Sequence, residues 1–176
     1  MKNSTSRRNF MRNTAMALTG LAVITPTITS ALTTSEGPFE GYNPFAETKK
    51  DLRTSVFNTN SVLVKGTIYE QDGITPVKDA LVEISKYRHR AKLYTDSNGN
   101  YEFITDFPNR EKGKSSRIYY KLSNNNKTQF TELILTSTGG YITGEHWEKN
   151  SCLKENILPV QTHFLDQKII QFNISI

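Results

Sequence analysis

Residues 61–69 read Ser-Val-Leu-Val-Lys-Gly-Thr-Ile-Tyr, a run rich in β-branched residues. Such residues are enriched in β-strands, and successive side chains of a strand point to opposite faces. The alternation places Val62, Val64 and Ile68 on one face, which we expect to be buried in a core. The sequence therefore predicts a half-buried strand here.

Further segments of the same kind follow this strand. They cover residues 80–85, 91–95, 100–105, 117–122, 130–136 and 168–176. No longer stretch shows a convincing helical period of 3.6 residues. Short strands separated by turns every 8–12 residues or so are typical of all-β sandwiches. The predicted fold is therefore an antiparallel β-sandwich.

The segment Asp96-Ser97-Asn98-Gly99-Asn100 lies between two alternating runs. Its Asn-Gly pair favours a hairpin that joins strands 91–95 and 100–105. The segment also begins like a calcium-binding loop, with oxygen-bearing side chains at alternate positions. However, glycine comes fourth instead of sixth, and Phe107 stands where the bidentate glutamate is needed. We therefore expect a hairpin turn.

The N-terminal residues predict export. Residues 6–12 read Ser-Arg-Arg-Asn-Phe-Met-Arg and precede an apolar run over residues 15–24 and small residues over 29–31. This order is typical of a twin-arginine signal, with an ordinary secretory signal as the alternative. The apolar run is about half of the ~20 residues that a membrane-spanning helix needs. We expect cleavage near Ala31 and a periplasmic or extracellular protein with no membrane insertion.

The charge balance argues against a nucleic-acid partner. The chain has 22 Lys plus Arg and 17 Asp plus Glu, but four cations lie in the first twelve residues. From residue 32 onward the balance is 18 to 17, whereas phosphate-binding faces need a clustered surplus of Lys and Arg. The single cysteine, Cys152, excludes a disulfide within the chain, and nothing in its surroundings marks an activated nucleophile.

Two segments show no regular period. Residues 32–60 are rich in Gly, Pro, Thr and aromatic residues, and we expect them to lie across the sandwich with Phe39, Tyr42 and Phe45 docked in grooves. Residues 139–161 are expected to be a second irregular region, since loops of this length usually serve a site or are poorly ordered. The predicted organisation is a signal at 1–31, an irregular segment at 32–60 and a sandwich domain at 61–176.

Histidines and tyrosines are the candidate metal ligands. The chain has three histidines, at positions 89, 146 and 163, and eight tyrosines. A phenol becomes a competitive ligand only for a strongly polarising cation such as Fe(III), so the composition permits an iron site without requiring one. The densest group is Tyr87-Arg88-His89-Arg90, for which a solvated strand end with two outward-facing arginines is the alternative interpretation.

Several motifs run through residues 36–136. They are Glu36-Gly37-Pro38-Phe39, Val64-x-Gly66-x-Ile68, Pro76-Val77-x-x-Ala80-x-Val82-Glu83-Ile84 and Tyr94-Thr95-Asp96-x-x-Gly99-x-Tyr101-x-Phe103-x-Thr105-x-x-Pro108. Together they resemble the intradiol ring-cleavage dioxygenases, the protocatechuate and catechol dioxygenase family. The later motifs also resemble transthyretin-like and carboxypeptidase-regulatory-like modules, and the Glu-Gly-Pro-Phe motif favours the dioxygenases.

The resemblance implies a site that cleaves aromatic diols with Fe(III) as cofactor, held by two tyrosines and two histidines. The two histidines of the family lie two positions apart on one strand, and this chain has Arg117 and Tyr119 there. Glu111 stands at the second tyrosine position, and Tyr87 is the counterpart of the first. The resemblance thus implies Tyr87, Arg117 and Tyr119 as catalytic-site residues, with Tyr87 as the remaining metal ligand.

Two functions follow from these observations. The first is an exported dioxygenase-like enzyme, degenerate at the iron site unless His89, His146, Glu111 or Glu145 replace the missing ligands. The second is a non-catalytic sandwich of the cell envelope without a cofactor, which binds a small aromatic or anionic ligand, a glycan or a partner protein. In that case Arg117 and Tyr119 present a cation and a phenol to the ligand, or simply face solvent.

Overall fold

Two five-stranded sheets pack face to face in the residues that the structure, a computed structural model, describes: 45–108 and 115–176. The first sheet contains β1 (Ser61–Tyr69), β4 (Asn100–Asp106), β8 (Val160–Phe164), β9 (Gln167–Gln171) and β10 (Ile174–Ser175). The second contains β2 (Leu81–Lys86), β3 (His89–Tyr94), β5 (Ser116–Asn124), β6 (Lys127–Thr136) and β7 (Gly139–Ile142). The predicted all-β sandwich is confirmed.

The order of the strands makes β1 the centre of the first sheet. One edge of β1 pairs antiparallel with β4 from Ser61 to Thr67. The other edge pairs parallel with β9, and beyond it with β10; β8 then pairs antiparallel with β9. The second sheet has the order β3-β2-β5-β6-β7 and is antiparallel throughout. The first sheet is therefore mixed, while the second matches the antiparallel prediction.

Alternating apolar residues build the core between the sheets. On β1 the buried side chains include Val62, Val64 and Ile68, as the sequence pattern predicts. On β5, Ile118, Tyr120 and Leu122 are fully buried. Strands β1 and β5 thus each present one face to the core, as period-two patterning requires.

The C-terminal strand is broken where it passes Gly66. The predicted strand 168–176 is present as β9 and β10, which are interrupted at Phe172 and Asn173. The Phe172 carbonyl lies so close to Gly66 that a Cβ there would be 1.8 Å from its oxygen. The same carbonyl accepts a 2.6 Å hydrogen bond from the Tyr101 hydroxyl, and the Phe172 N–H donates to the Lys65 carbonyl at 2.8 Å. Only glycine permits this approach.

The predicted hairpin at Asn98-Gly99 is wrong. A turn does form there, since Gly99 N–H donates to the Asp96 carbonyl at 3.0 Å. It joins β3 of the second sheet to β4 of the first, so the chain crosses between sheets instead of folding back on its neighbour. The Thr95 hydroxyl ties this crossing to the start of β2 by donating to the Val77 carbonyl and accepting from the Ala80 N–H. Turn chemistry is local and does not specify which strands pair.

The described part of the irregular segment, residues 45–60, runs along the adjacent edges of β3 and β4. Lys92 N–H of β3 donates to the Glu47 carbonyl at 3.1 Å, and Ile104 N–H of β4 donates to the Lys50 carbonyl at 2.8 Å. Leu52 is the buried anchor of this segment. Phe45 is 89% exposed, so its predicted docking in a groove is wrong. Phe39, Tyr42 and the predicted signal lie outside the described residues.

Residues 139–161 are regular, in contrast to the prediction. They form β7, a short helix α1 (Gly144–Lys149), a 3₁₀ segment (Ser151–Ile157) and the start of β8. The Thr143 hydroxyl caps the helix by accepting from the His146 N–H. A helix of this length shows too little of its period to be recognised in sequence. No helix in the described ranges is both long and apolar enough to cross a membrane.

Replacing Gly66 by alanine should unfold or strongly destabilise the protein. The new methyl group would overlap the Phe172 carbonyl, and a backbone group cannot move aside as a flexible side chain can. We expect the free energy of unfolding in urea to fall by about 3 kcal/mol or more. Gly144→Ala is the control, because nothing lies within 4 Å of its Cβ position. Equal losses from both variants would contradict this account of β1.

Candidate functional site

The outer face of the second sheet brings together the residues on β5 that the sequence singles out. Arg117 and Tyr119 alternate with buried Ile118 and Tyr120, and so they point away from the core. In the register of the sheet, Tyr119 pairs with Ser85 on β2 and with Glu132 on β6. The alternative interpretation of Arg117 and Tyr119 as outward-facing strand residues is confirmed in their orientation.

Tyr87 lies at the same end of this face. It occupies the turn between β2 and β3 with φ 53°, and its side chain is 71% exposed. Since Ser85 pairs with Tyr119 and the two strands are antiparallel, Tyr87 lies at the level of Arg117. The structure therefore places Tyr87, Arg117 and Tyr119 at one end of the second sheet.

The register adds two charged residues to this site: Arg90, which sequence reasoning named only within the group 87–90, and Glu132, which it missed. Arg90 on β3 pairs with Ser85, so that Arg90, Ser85, Tyr119 and Glu132 form one row across four strands. The Nε atom of Arg90 is buried and makes no hydrogen bond. We call this row together with Arg117 the Arg117 face.

An ion pair fixes the charge of Arg117. Its Nη1 atom lies 2.5 Å from Oε1 of Glu132, and the side chains are 50% and 15% exposed. The hydrogen bond from Glu132 raises the pKa of Arg117 above its ordinary value. The guanidinium is therefore positive at every accessible pH, and it uses only one of its five N–H donors in this bond.

The rest of the outer face adds to the positive charge. Lys92 pairs in register with Glu83, which in turn pairs with Lys121. Glu83 and Lys121 form an ion pair of 3.0 Å. Among the described residues of these rows, Arg90, Arg117, Lys92 and Lys121 oppose the two carboxylates of Glu83 and Glu132. The face thus carries a surplus of cations that the near balance of charge from residue 32 onward does not reveal.

A buried lysine lies directly behind this face. Lys86 precedes Tyr87 but points inward, where Nζ donates to the Thr105 hydroxyl at 2.9 Å and to the Asp106 carbonyl at 2.5 Å. Burial lowers its pKa to about 8, and the charge of Asp106 opposes this shift. Lys86 connects the two sheets below the turn that carries Tyr87.

Comparison with known proteins supports the fold. No protein-family model matches the chain, and no curated protein sequence does. Among solved structures, the dioxygenase domain of a dioxygenase carbohydrate-binding protein fusion from Streptomyces sp. SirexAA-E matches 81% of this chain and 95% of its own, with 15% identity and a TM-score of 0.56. The chain has a dioxygenase-like fold.

Two further structures show the same similarity. The 3-chlorocatechol 1,2-dioxygenase of Rhodococcus opacus 1CP matches 79% of this chain and 69% of its own, with 14% identity and a TM-score of 0.54. An intradiol ring-cleavage dioxygenase from Tetranychus urticae matches 80% of this chain and 90% of its own, with 14% identity and a TM-score of 0.52. These identities are low, so the likeness concerns the fold.

Among the described residues, the donor atoms of this intradiol-dioxygenase-like chain do not make up the ligand set of two tyrosines and two histidines that a ferric ion is expected to have. Within residues 45–108 and 115–176, no group of three or more His, Cys, Asp or Glu side chains could hold a metal. Arg117 stands where the resemblance leads us to expect the first histidine ligand. Its guanidinium cannot act as a metal ligand and repels a cation. Glu111 lies outside the described residues.

The remaining candidate ligands lie elsewhere. His146 is buried and hydrogen-bonds Thr131 on the inner face of β6, so the second sheet separates it from Tyr119. Glu145 is exposed on α1 and pairs with Lys149 at 2.6 Å. His163 lies on β8 in the first sheet. Of the three histidines, only His89 lies near the Tyr87 turn, where it pairs in register with Lys86.

His146 is held neutral inside the protein. Asn150 Oδ1 accepts from Ser175 N–H at 2.7 Å, which directs Asn150 Nδ2 towards His146 Nδ1 at 3.2 Å. Nδ1 is then an acceptor and the proton is on Nε2. Burial lowers the pKa of His146 to about 4, with a weaker opposing contribution from the Ile157 backbone. His146 thus fastens α1 to the core and does not face the Arg117 face.

The low pKa of His146 predicts that the free energy of unfolding depends on pH. The unfolded chain binds a proton at its histidines near pH 6.5, whereas His146 in the folded protein does so only near pH 4. Stability should therefore be full above pH 6.5 and fall by roughly 3 kcal/mol as the pH is lowered to 4. NMR of the His146 ring carbons and urea unfolding of the protein and of His146→Gln would measure this. A His146 midpoint near pH 6.5 would contradict it.

Proposed function

We propose that this chain is an exported, intradiol-dioxygenase-like protein that has lost the iron chemistry of that fold. In its place, the Arg117 face binds a small anionic ligand with an aromatic ring. The ion pair of Arg117 with Glu132 is the observation that carries this proposal. It sets a permanent cation where the dioxygenases of this fold are expected to hold a metal-binding histidine.

The free donors of Arg117 suit a carboxylate. Arg117 uses Nη1 for Glu132, which leaves the Nε and Nη2 edge for a second acceptor. A planar guanidinium edge matches the two oxygens of a carboxylate. Arg90 lies two strands away in the same sheet and adds a second positive charge to this face. The surplus of positive charge on this sheet would attract an anion to this face.

Two phenol rings supply the aromatic contact. Tyr119 is half-buried and lies in the row between Ser85 and Glu132, two positions from Arg117 on β5. Tyr87 lies in the turn at the level of Arg117 and is exposed. Aromatic rings favour offset or edge-to-face contact with another ring. An aromatic carboxylate therefore suits this face better than a simple inorganic anion.

The place of action follows from the N-terminal sequence. The twin-arginine pattern of residues 6–12 supports export to the periplasm or the cell exterior. There the protein would meet soluble aromatic acids or anionic groups of the envelope.

Iron content tests the loss of metal chemistry. The purified protein should be treated with Fe(III) and desalted, and its iron and visible spectrum measured. We expect substoichiometric iron and no tyrosinate-to-Fe(III) absorption band, because Arg117 repels the cation. Stoichiometric iron with such a band, together with cleavage of catechol, would show that the enzymatic activity of this fold is retained.

Benzoate binding tests the ligand class. NMR titration should show saturable shifts at the backbone amides of the Arg117 face with benzoate, and weaker ones with benzamide, which has the same shape without the charge. Arg117→Gln should weaken benzoate binding about tenfold or more, the size expected for a charge-assisted hydrogen bond.

Lys127→Gln is the matched control for this titration. Lys127 is an exposed cation of the same sheet, paired with Glu70 at 2.9 Å, at the start of β6 and away from Arg117. Its replacement should leave benzoate binding unchanged. Equal binding of benzamide, or an equal loss in Lys127→Gln, would contradict the proposed recognition.

A further inference from the structure

A second groove lies on the outer face of the first sheet, at the side where β3 and β4 are adjacent edges. Its volume is about 490 Å³, within the range of roughly 300–1,000 Å³ of small-ligand sites. We call it the β1 groove. The residues that decide its chemistry are Lys50, Lys65, Thr67, Tyr94, Glu102 and Gln171. It shares none of them with the Arg117 face.

Strand register sets the floor of the β1 groove. Lys65 pairs with Glu102 on β4 and with Gln171 on β9, so these three side chains form a row across the sheet. They point outward, because the alternate positions Val64, Phe103 and Ile170 are buried. The row lies on three hydrogen-bonded strands, and a site built on strands holds its groups in place better than a site on loops.

Three side chains of the groove have uncommitted polar groups. No hydrogen bond or ion pair with the described residues is made by the Lys65 ammonium, the Gln171 amide or the Tyr94 hydroxyl. By contrast, Lys50 pairs with Glu102 at 3.1 Å, and the Thr67 hydroxyl donates to Asn100 at 2.8 Å. The groove thus offers a ligand several hydrogen-bond donors and acceptors. The paired groups of Lys50, Glu102 and Thr67 hold their positions beside them.

The charges of the groove cancel. Lys50 and Glu102 neutralise each other, and Lys65 is balanced by Asp96, which also lines the groove. The Asp96 carboxylate accepts from the N–H groups of Asn98 and Asn100, and the bond from Asn100 lowers its pKa the most. A neutral lining attracts neither anions nor cations, which distinguishes this groove from the Arg117 face.

An exposed aromatic ring forms one wall. Tyr94 at the end of β3 is 56% exposed and lines the groove. A sugar ring has an apolar C–H face, which packs on an aromatic ring, and hydroxyl groups that both donate and accept. Amide, ammonium and hydroxyl side chains beside the ring complete such a site. We propose that the β1 groove binds a neutral oligosaccharide.

NMR titration with defined sugars tests this site in the full protein. The neutral probes are cellopentaose, maltopentaose and chitopentaose, since the groove does not specify the linkage, and pentagalacturonate is the charged comparison. We expect at least one neutral probe to cause saturable shifts at the amides of Lys65, Thr67 and Gln171. Binding should change little with salt, because no ion pair with the ligand is involved.

Substitutions assign the site. Tyr94→Ala should weaken binding of that probe about tenfold or more, as expected for a central aromatic contact, and Gln171→Ala should weaken it in a second, independent way. Tyr141→Ala is the matched control, a 50% exposed tyrosine on β7, and should leave binding unchanged. The proposal would be overturned if none of the three neutral sugars caused saturable shifts, or if only pentagalacturonate bound. It would also be overturned if Tyr141→Ala weakened binding as much as Tyr94→Ala.

Discussion

The close contact between Gly66 and the Phe172 carbonyl is the constraint on which the rest of the structure depends. It draws the C-terminal strand against β1, where Tyr101 and Lys65 complete the hydrogen bonds around Phe172. The Phe172 ring then packs on Tyr120 at 5.4 Å and on His146 at 4.7 Å between ring centroids. Tyr120 belongs to β5, whose outward residues form the Arg117 face. One backbone contact therefore links the centre of the first sheet to the site on the second.

The sequence predicted which residues form strands and which face they bury, because period-two patterning is a local property. It could not predict which strands pair. Asn98-Gly99 makes its turn, yet β3 and β4 belong to different sheets, since the apolar faces of both must meet in one core. Residues 139–161 were missed for a different reason. Their helix is short and is held by buried contacts of His146 and Asn150, which depend on β6 and β10.

The site was predictable only along one strand. Arg117 and Tyr119 are two positions apart, so their common face followed from the sequence. Arg90 and Glu132 lie on other strands, and only the register shows that they join the same row. Charge composition did not help, because the nearly balanced residues 32–176, with 18 Lys plus Arg to 17 Asp plus Glu, still have a cationic surplus on one sheet and a neutral groove on the other. The spatial sorting of charge is a property of the fold.

Crystallography at the iron absorption edge tests the central claim most directly, with crystals grown in Fe(III) and benzoate. The account predicts an intact ion pair between Arg117 and Glu132, benzoate density at the guanidinium edge and no anomalous peak beside Tyr87 or Tyr119. An anomalous peak bonded to those tyrosines, with Arg117 turned away from Glu132, would show that the dioxygenase site has been rebuilt and would contradict the account.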